Sequence, residues 1–133
     1  MYQDFDNPRS WDNLGTMVCF HNRYDLGDNH HYNHNNYNGW DEMKNSITKE
    51  EDVAVILPLY LYDHSGITMS TSPFSCRWDS GQVGWTFVSK KKIREEYGVK
   101  RISKELIEKV TEMLEGEVRT YDMYLTGELQ DTE

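Results

Sequence analysis

Val53-Ala54-Val55-Ile56-Leu57-Pro58-Leu59-Tyr60-Leu61-Tyr62 is the longest apolar run in the chain. It is too short to span a bilayer and rich in β-branched and aromatic side chains, so it reads as a strand. Its near-continuous apolarity predicts a central strand buried on both faces. Pro58 removes an amide donor within it and predicts a bulge, an edge position or a break.

The neighbouring segments arrange themselves around that strand. Asp63-His64-Ser65-Gly66 predicts a turn, with Ile67 to Ser70 returning as a partner strand. Thr71 to Gly81, which contains Pro73, is an irregular crossing, and Val83 to Val88 is the next strand. Upstream, Thr16 to His21 reads as a short strand with Met17, Cys19 and His21 on one face and Val18 and Phe20 on the other. Trp40, Met43 and Ile47 recur at helical spacing and predict a helix over Trp40 to Asp52.

From Ser89 the period becomes helical. Ser89 caps a helix through Tyr97 that Gly98 closes, and Ser103 caps a second, with Leu106, Ile107, Val110, Met113 and Leu114 as its apolar stripe. Gly116 is expected to end that helix, and Val118, Tyr121 and Leu125 to form one further helical stretch before a frayed acidic tail over 128–133. Strands first and helices later predict an α+β fold, a small antiparallel or mixed sheet with C-terminal helices packed on it. A chain of 133 residues is expected to form a single domain. Asn22 to Gly39 holds six Asn, two Gly and three of the five His, and reads as a long polar loop, functional or mobile, that contributes nothing to a core.

Net charge is −9 and unevenly placed: −6 over residues 1–52, +4 over 89–109 and −6 over 110–133. An acidic protein repels phosphates at long range, which disfavours direct nucleic-acid binding; such acidity most commonly serves solubility, and it can also dock onto basic nucleic-acid-binding proteins. The one basic run, Lys90-Lys91-Lys92-x-Arg94 with Lys100-Arg101, reads as a solvated helix face. The first ten residues lack the basic start and apolar run of a signal peptide, and Cys19 and Cys76 are too few for a disulfide framework. Reduced thiols in a cytoplasm, with no membrane segment, are the expectation.

The P-loop, the dinucleotide glycine fingerprint, HExxH, GxSxG and CxxC are all absent. Chemistry then rests on polar residues at strand ends: Asp12, Cys19, His21, Asp63, His64, Cys76 and Asp79. Zinc takes imidazole nitrogen, thiolate and carboxylate, so the metal set is His21, Asp63, His64, Cys76 and Asp79. Each also has an ordinary reading, as a turn cap, an interior histidine or a small buried thiol. His30, His31 and His34 form a second local cluster, suited to adventitious metal binding. A serine hydrolase built from Ser65 or Ser80 with His64 and Asp79 lacks any nucleophile turn. Tyr32, Tyr37 and Trp40, set among Asn, fit the contact chemistry of a binding loop, with Trp40 also placed to anchor the core.

Three segments carry a resemblance: Ser10-Trp11-Asp12-Asn13-Leu14-Gly15-Thr16-Met17, His21-Asn22-Arg23-Tyr24-Asp25-Leu26-Gly27-Asp28, and Leu57 through Gly84 with Tyr62-Asp63-His64-Ser65-Gly66 and Trp78-Asp79-Ser80-Gly81. The chain resembles small proteins encoded by phages and prophages of Gram-positive bacteria. The likeness continues through Tyr97 to Arg101 and Thr120 to Gly127 and is least over 29–40. Some small phage proteins of this kind, a metal-containing one among them, are anti-CRISPR inhibitors of type II effector nucleases. The resemblance thus implies a binding protein of the host cytoplasm whose partner is a bacterial CRISPR effector nuclease or another basic nucleic-acid-binding protein. A structural Zn²⁺ accompanies that reading, and the alternative is a metal-dependent hydrolase acting on nucleic acid or nucleotides.

Overall fold

The apolar run forms β2 (Val53–Asp63), an inner strand of a four-stranded sheet. The other strands are β1 (Thr16–Cys19), β3 (Ile67–Ser70) and β4 (Ser80–Ser89), all paired antiparallel in the order β1-β4-β2-β3. Helix α1 (Trp40–Glu51) precedes β2, and α2 (Lys90–Tyr97) and α3 (Lys104–Thr126) follow β4. The fold is α+β, as the order of elements predicts. The computed structural model describes residues 7–76 and 78–127, so the acidic tail expected over 128–133 lies outside the described residues. Among the described residues, no helix is long and apolar enough to cross a membrane.

The sheet carries apolar side chains on both faces. Val18, Trp85 and Phe87 pack with Met43 and Ile47 of α1, while Met17, Leu59, Leu61 and Met69 pack with Val118 and Tyr121 of α3. Farther along the α3 face, Val55 and Val88 meet Val110, Leu114 and Ile93, the last from α2. Two irregularities set this division. The pairing shifts between Val53 and Val55 and between Leu59 and Tyr60, leaving Ala54 and Val83 as extra residues. Each extra residue reverses the alternation. Val53 accordingly packs on the α1 side and Val55 on the α3 side, and Val83 and Trp85 likewise separate.

Burial of β2 on both faces, expected from its composition, holds only in part. Val53, Val55, Leu59 and Leu61 are buried, whereas Pro58, Tyr60 and Tyr62 are half-buried. The apolar partners from α1 meet the sheet around Val53 and Ile56, leaving the far half of that face to its own aromatic side chains. Strand β3 ends opposite Tyr60, so Pro58 has a strand neighbour only on the β4 side, and its other side is the open edge at which proline is tolerated.

The helix caps follow the chemistry of the sequence. Ser89 Oγ accepts from Lys92 N–H at 3.1 Å, and Ser103 Oγ accepts from Leu106 N–H at 3.1 Å. Gly98 closes α2 in the left-handed conformation. Gly116 does not end α3, contrary to expectation. The helix runs on to Thr126 because Val110, Leu114, Val118 and Tyr121 continue one buried stripe, and a mid-helix glycine costs only about 1 kcal/mol against Ala. The two predicted helical stretches are therefore one.

The Asn-rich stretch is largely loop, with a single helical turn at His34–Asn36, but it does contribute to the core. Leu26 and Tyr32 are buried, Val18 bridges Gly27, and Asp28 N–H donates to Met17 O at 2.9 Å. Tyr32, expected as an exposed contact, instead donates its hydroxyl to Glu51 Oε2 at 3.0 Å. Composition alone misses these few anchoring side chains.

Arg9 fastens the N-terminal segment to this assembly. Its side chain is only 3% exposed and donates through Nε and Nη2 to both Asp28 oxygens and through Nη2 to Gly15 O. Removing one member of a buried charge pair leaves the other desolvated, at a cost of about 3 kcal/mol or more. Arg9→Met should therefore lower stability by about 3 kcal/mol in urea denaturation, and a change under about 0.5 kcal/mol would show that the ion pair carries no weight.

Gly84 is needed for a different reason. A Cβ there would lie 1.9 Å from Val18 O, backbone that cannot yield, whereas a Cβ on Gly81 meets nothing within 4 Å. Gly84→Ala is expected to cost more than about 2 kcal/mol and Gly81→Ala less than about 1. Equal melting temperatures for the two variants would contradict the close approach of β1 and β4.

Candidate functional site

A cleft of about 620 Å³ opens beside the end of β1, where the chain leaves the sheet and the polar loop folds back. Its walls include His21, Tyr24, Asp25, His30, His34 and Gln82, and Cys19 and Phe20 of the β1 end also line it. Backbone donors fix two of the imidazoles. His21 Nδ1 accepts from Arg23 N–H at 3.1 Å and Tyr24 N–H at 3.3 Å, which leaves the proton of the neutral ring on Nε2. His30 Nδ1 accepts from Tyr32 N–H at 3.1 Å, and its Nε2–H donates to Cys19 O at 3.1 Å. Phe20 meets His30 edge-on at 4.9 Å and His34 at 5.1 Å between ring centroids.

The two carboxylates of the cleft differ. Asp28 is occupied by Arg9 and by Met17 N–H. Asp25 is exposed and makes no hydrogen bond or ion pair among the described residues. Gln82 spends its amide donor on Gly84 O at 3.2 Å, which leaves the amide oxygen as an acceptor. None of the described lining residues is Lys or Arg.

The metal set expected from the sequence divides between two places. His64 Nδ1 lies 3.1 Å from Asp79 Oδ2, and Cys76 Sγ lies 4.0 Å from the same oxygen. These three meet at the far end of the β2–β3 hairpin, where Asp63 N–H donates to Asp79 O at 2.7 Å. The Asp63 carboxylate is paired with Arg23. His21 stands in the cleft, connected to that end only through Arg23, whose backbone it accepts from and whose guanidinium reaches Asp63. Asp12 lies apart, beside Glu96, Tyr97 and Glu117. Among the described residues, no group of three or more His, Cys, Asp or Glu is arranged to hold a metal ion. The donor types at His64, Asp79 and Cys76 suit zinc, but only three of the five residues come together.

Trp78, next to this trio, is 94% exposed. An indole so bare is uncommon on a free surface and is the kind of residue that anchors interfaces. The sequence held no periodic signal for it, because it stands in the irregular crossing between β3 and β4. Asp25, Tyr24 and Gln82 were likewise missed as site residues. Their convergence depends on the loop folding back across β1, which local spacing does not encode.

Burial silences one cleft group. The Cys19 thiol is pushed from 9.0 up to about 12, first by burial and then by the Asp28 charge. The Tyr121 phenol, which accepts from Gly27 N–H at 3.0 Å, and the Tyr32 phenol are raised as well, burial being the largest cause in each. The folded chain thus keeps a Cys19 proton that the unfolded chain loses, so stability is full below pH 9.0 and falls as pH rises toward about 12. The urea midpoint should drop between about pH 9 and pH 12, less steeply in Cys19→Ala. A midpoint that does not move would place Cys19 in contact with water.

No family model, curated protein or solved structure matches the chain.

Proposed function

We propose that this chain is a non-catalytic binding protein that docks onto a basic nucleic-acid-binding protein. The partner class implied by the phage resemblance is a type II CRISPR effector nuclease in the host cytoplasm. The observation that carries the reading is the cleft, lined by a free carboxylate, amides and imidazoles and by no described Lys or Arg. On a chain of net charge −9, such a surface repels phosphate and attracts basic protein. Exposed Trp78, at a separate corner of the same sheet, supplies an anchor of the type found at interface centres.

The contact of His64 and Cys76 with Asp79 supports a second reading, a metal-dependent hydrolase acting on nucleic acid or nucleotides. A bound Zn²⁺ would supply Lewis acidity there in an enzyme and loop cross-linking in an inhibitor. Turnover of DNA, RNA or nucleotides that vanishes in His64→Ala would select the hydrolase.

The deciding experiment measures binding of the purified chain to a guide-loaded type II effector, together with the rate of target DNA cleavage. Expected are a stable complex, slowed cleavage, and affinity that weakens as salt rises, because charge complementarity is screened. No complex and unchanged cleavage across a panel of such effectors would overturn the proposal. Metal content by mass spectrometry addresses zinc separately: about one equivalent in wild type, lost in His64→Ala, would support a zinc site at the hairpin end. Absence of zinc in wild type would remove the metal from both readings.

A further inference from the structure

We propose that the cleft receives an arginine side chain of the protein partner, with Asp25 as its counter-ion. This rests on the binding-protein reading and specifies its chemistry. The Asp25 carboxylate is the one charge in the cleft not already engaged among the described residues, since Asp28 is taken up by Arg9. A planar guanidinium presents paired N–H donors that match a carboxylate, as an ammonium does not. The same rim already pairs a guanidinium with a carboxylate, Arg23 with Asp63.

The remaining lining groups suit the rest of such a residue. The free oxygen of the Gln82 amide can accept a further guanidinium N–H, and His21 Nε2–H can donate to a peptide carbonyl. A phosphate-bearing ligand finds no cation among the described lining residues, and the Arg23 guanidinium at the rim is already paired with Asp63. Stacking of a nucleobase is disfavoured because Phe20 already has His30 and His34 against it. The His21 and His30 rings and the Gln82 amide are held by backbone partners before any ligand arrives, which lowers the ordering cost of binding.

The test is NMR titration of the isotope-labelled full chain with N-acetyl-argininamide, beside its neutral isostere N-acetyl-citrullinamide and adenosine. Expected are saturable shifts in backbone amides of residues 20–34 and 82–83 with the arginine compound, and at least about fivefold weaker binding in Asp25→Asn. Asp25 is exposed and unpaired among the described residues, so this variant is expected to fold, and its amide spectrum verifies that. Gln82→Leu serves as a second variant, with a smaller loss. Equal binding of the citrulline compound, adenosine binding in place of arginine, or no shift in the cleft would each overturn the inference. Effector inhibition that survives intact in Asp25→Asn would also overturn it while leaving the proposed function standing. Arginine binding in the cleft without inhibition of any effector would support it and remove the nuclease partner.

Discussion

The buried guanidinium of Arg9 is the contact on which the rest of the arrangement depends. Strand β1 is only four residues long and lies at the edge of the sheet, so pairing with β4 alone holds it weakly. Arg9 binds Asp28 from the polar loop and the Gly15 carbonyl just before the strand. Asp28 in turn takes Met17 N–H at 2.9 Å, and Glu117 of α3 takes Leu14 and Gly15 N–H at 2.7 and 3.0 Å. With Arg9 Nη1 also 3.8 Å from Glu117 Oε1, one cation joins the N-terminal segment, the outer edge of β1, the loop and the long helix. A buried charge with this many acceptors fixes register and position more than it adds net stability, because its desolvation offsets much of the attraction.

That network also explains why an Asn-rich segment stays in place. Side chains of this kind compete with regular structure for backbone groups, and the loop uses them to do so. Asn33 caps the His34 turn, His30 and His21 accept backbone N–H groups, and Tyr32 reaches Glu51 on α1. Tyr121 of α3 accepts Gly27 N–H on the opposite side. The segment is thus held from both faces of the sheet, and the cleft between it and β1 is a formed feature of the fold.

Much of the fold was legible because it rests on local chemistry. Ser89, Gly98 and Ser103 marked helix ends by capping, and the turn at Asp63 to Gly66 paired β2 with β3. Gly116 misled because a glycine signals a helix end only when the apolar stripe also stops, and Val118 and Tyr121 carry it onward. The extra residues Ala54 and Val83 were invisible, since a register shift is a property of two strands and not of one. Of the expected site residues, His64, Cys76 and Asp79 meet because the crossing returns beside the hairpin that launches it. His21 does not join them, because its ring is turned to the Arg23 and Tyr24 amides.

Two surfaces result, at different corners of one sheet and joined through Arg23. Its backbone belongs to the His21 turn that walls the cleft, and its guanidinium reaches Asp63 at the hairpin beside His64, Asp79 and exposed Trp78. An exposed ion pair of this kind contributes little to stability, so its importance is positional. It links the wall of the cleft to the hairpin end beside Trp78, on a sheet that α1 and α3 stiffen. A basic protein with an arginine near an apolar hollow would engage both features together. Coupling two modest contacts on one rigid frame raises affinity beyond either contact alone, since the second forms without a second loss of translational freedom.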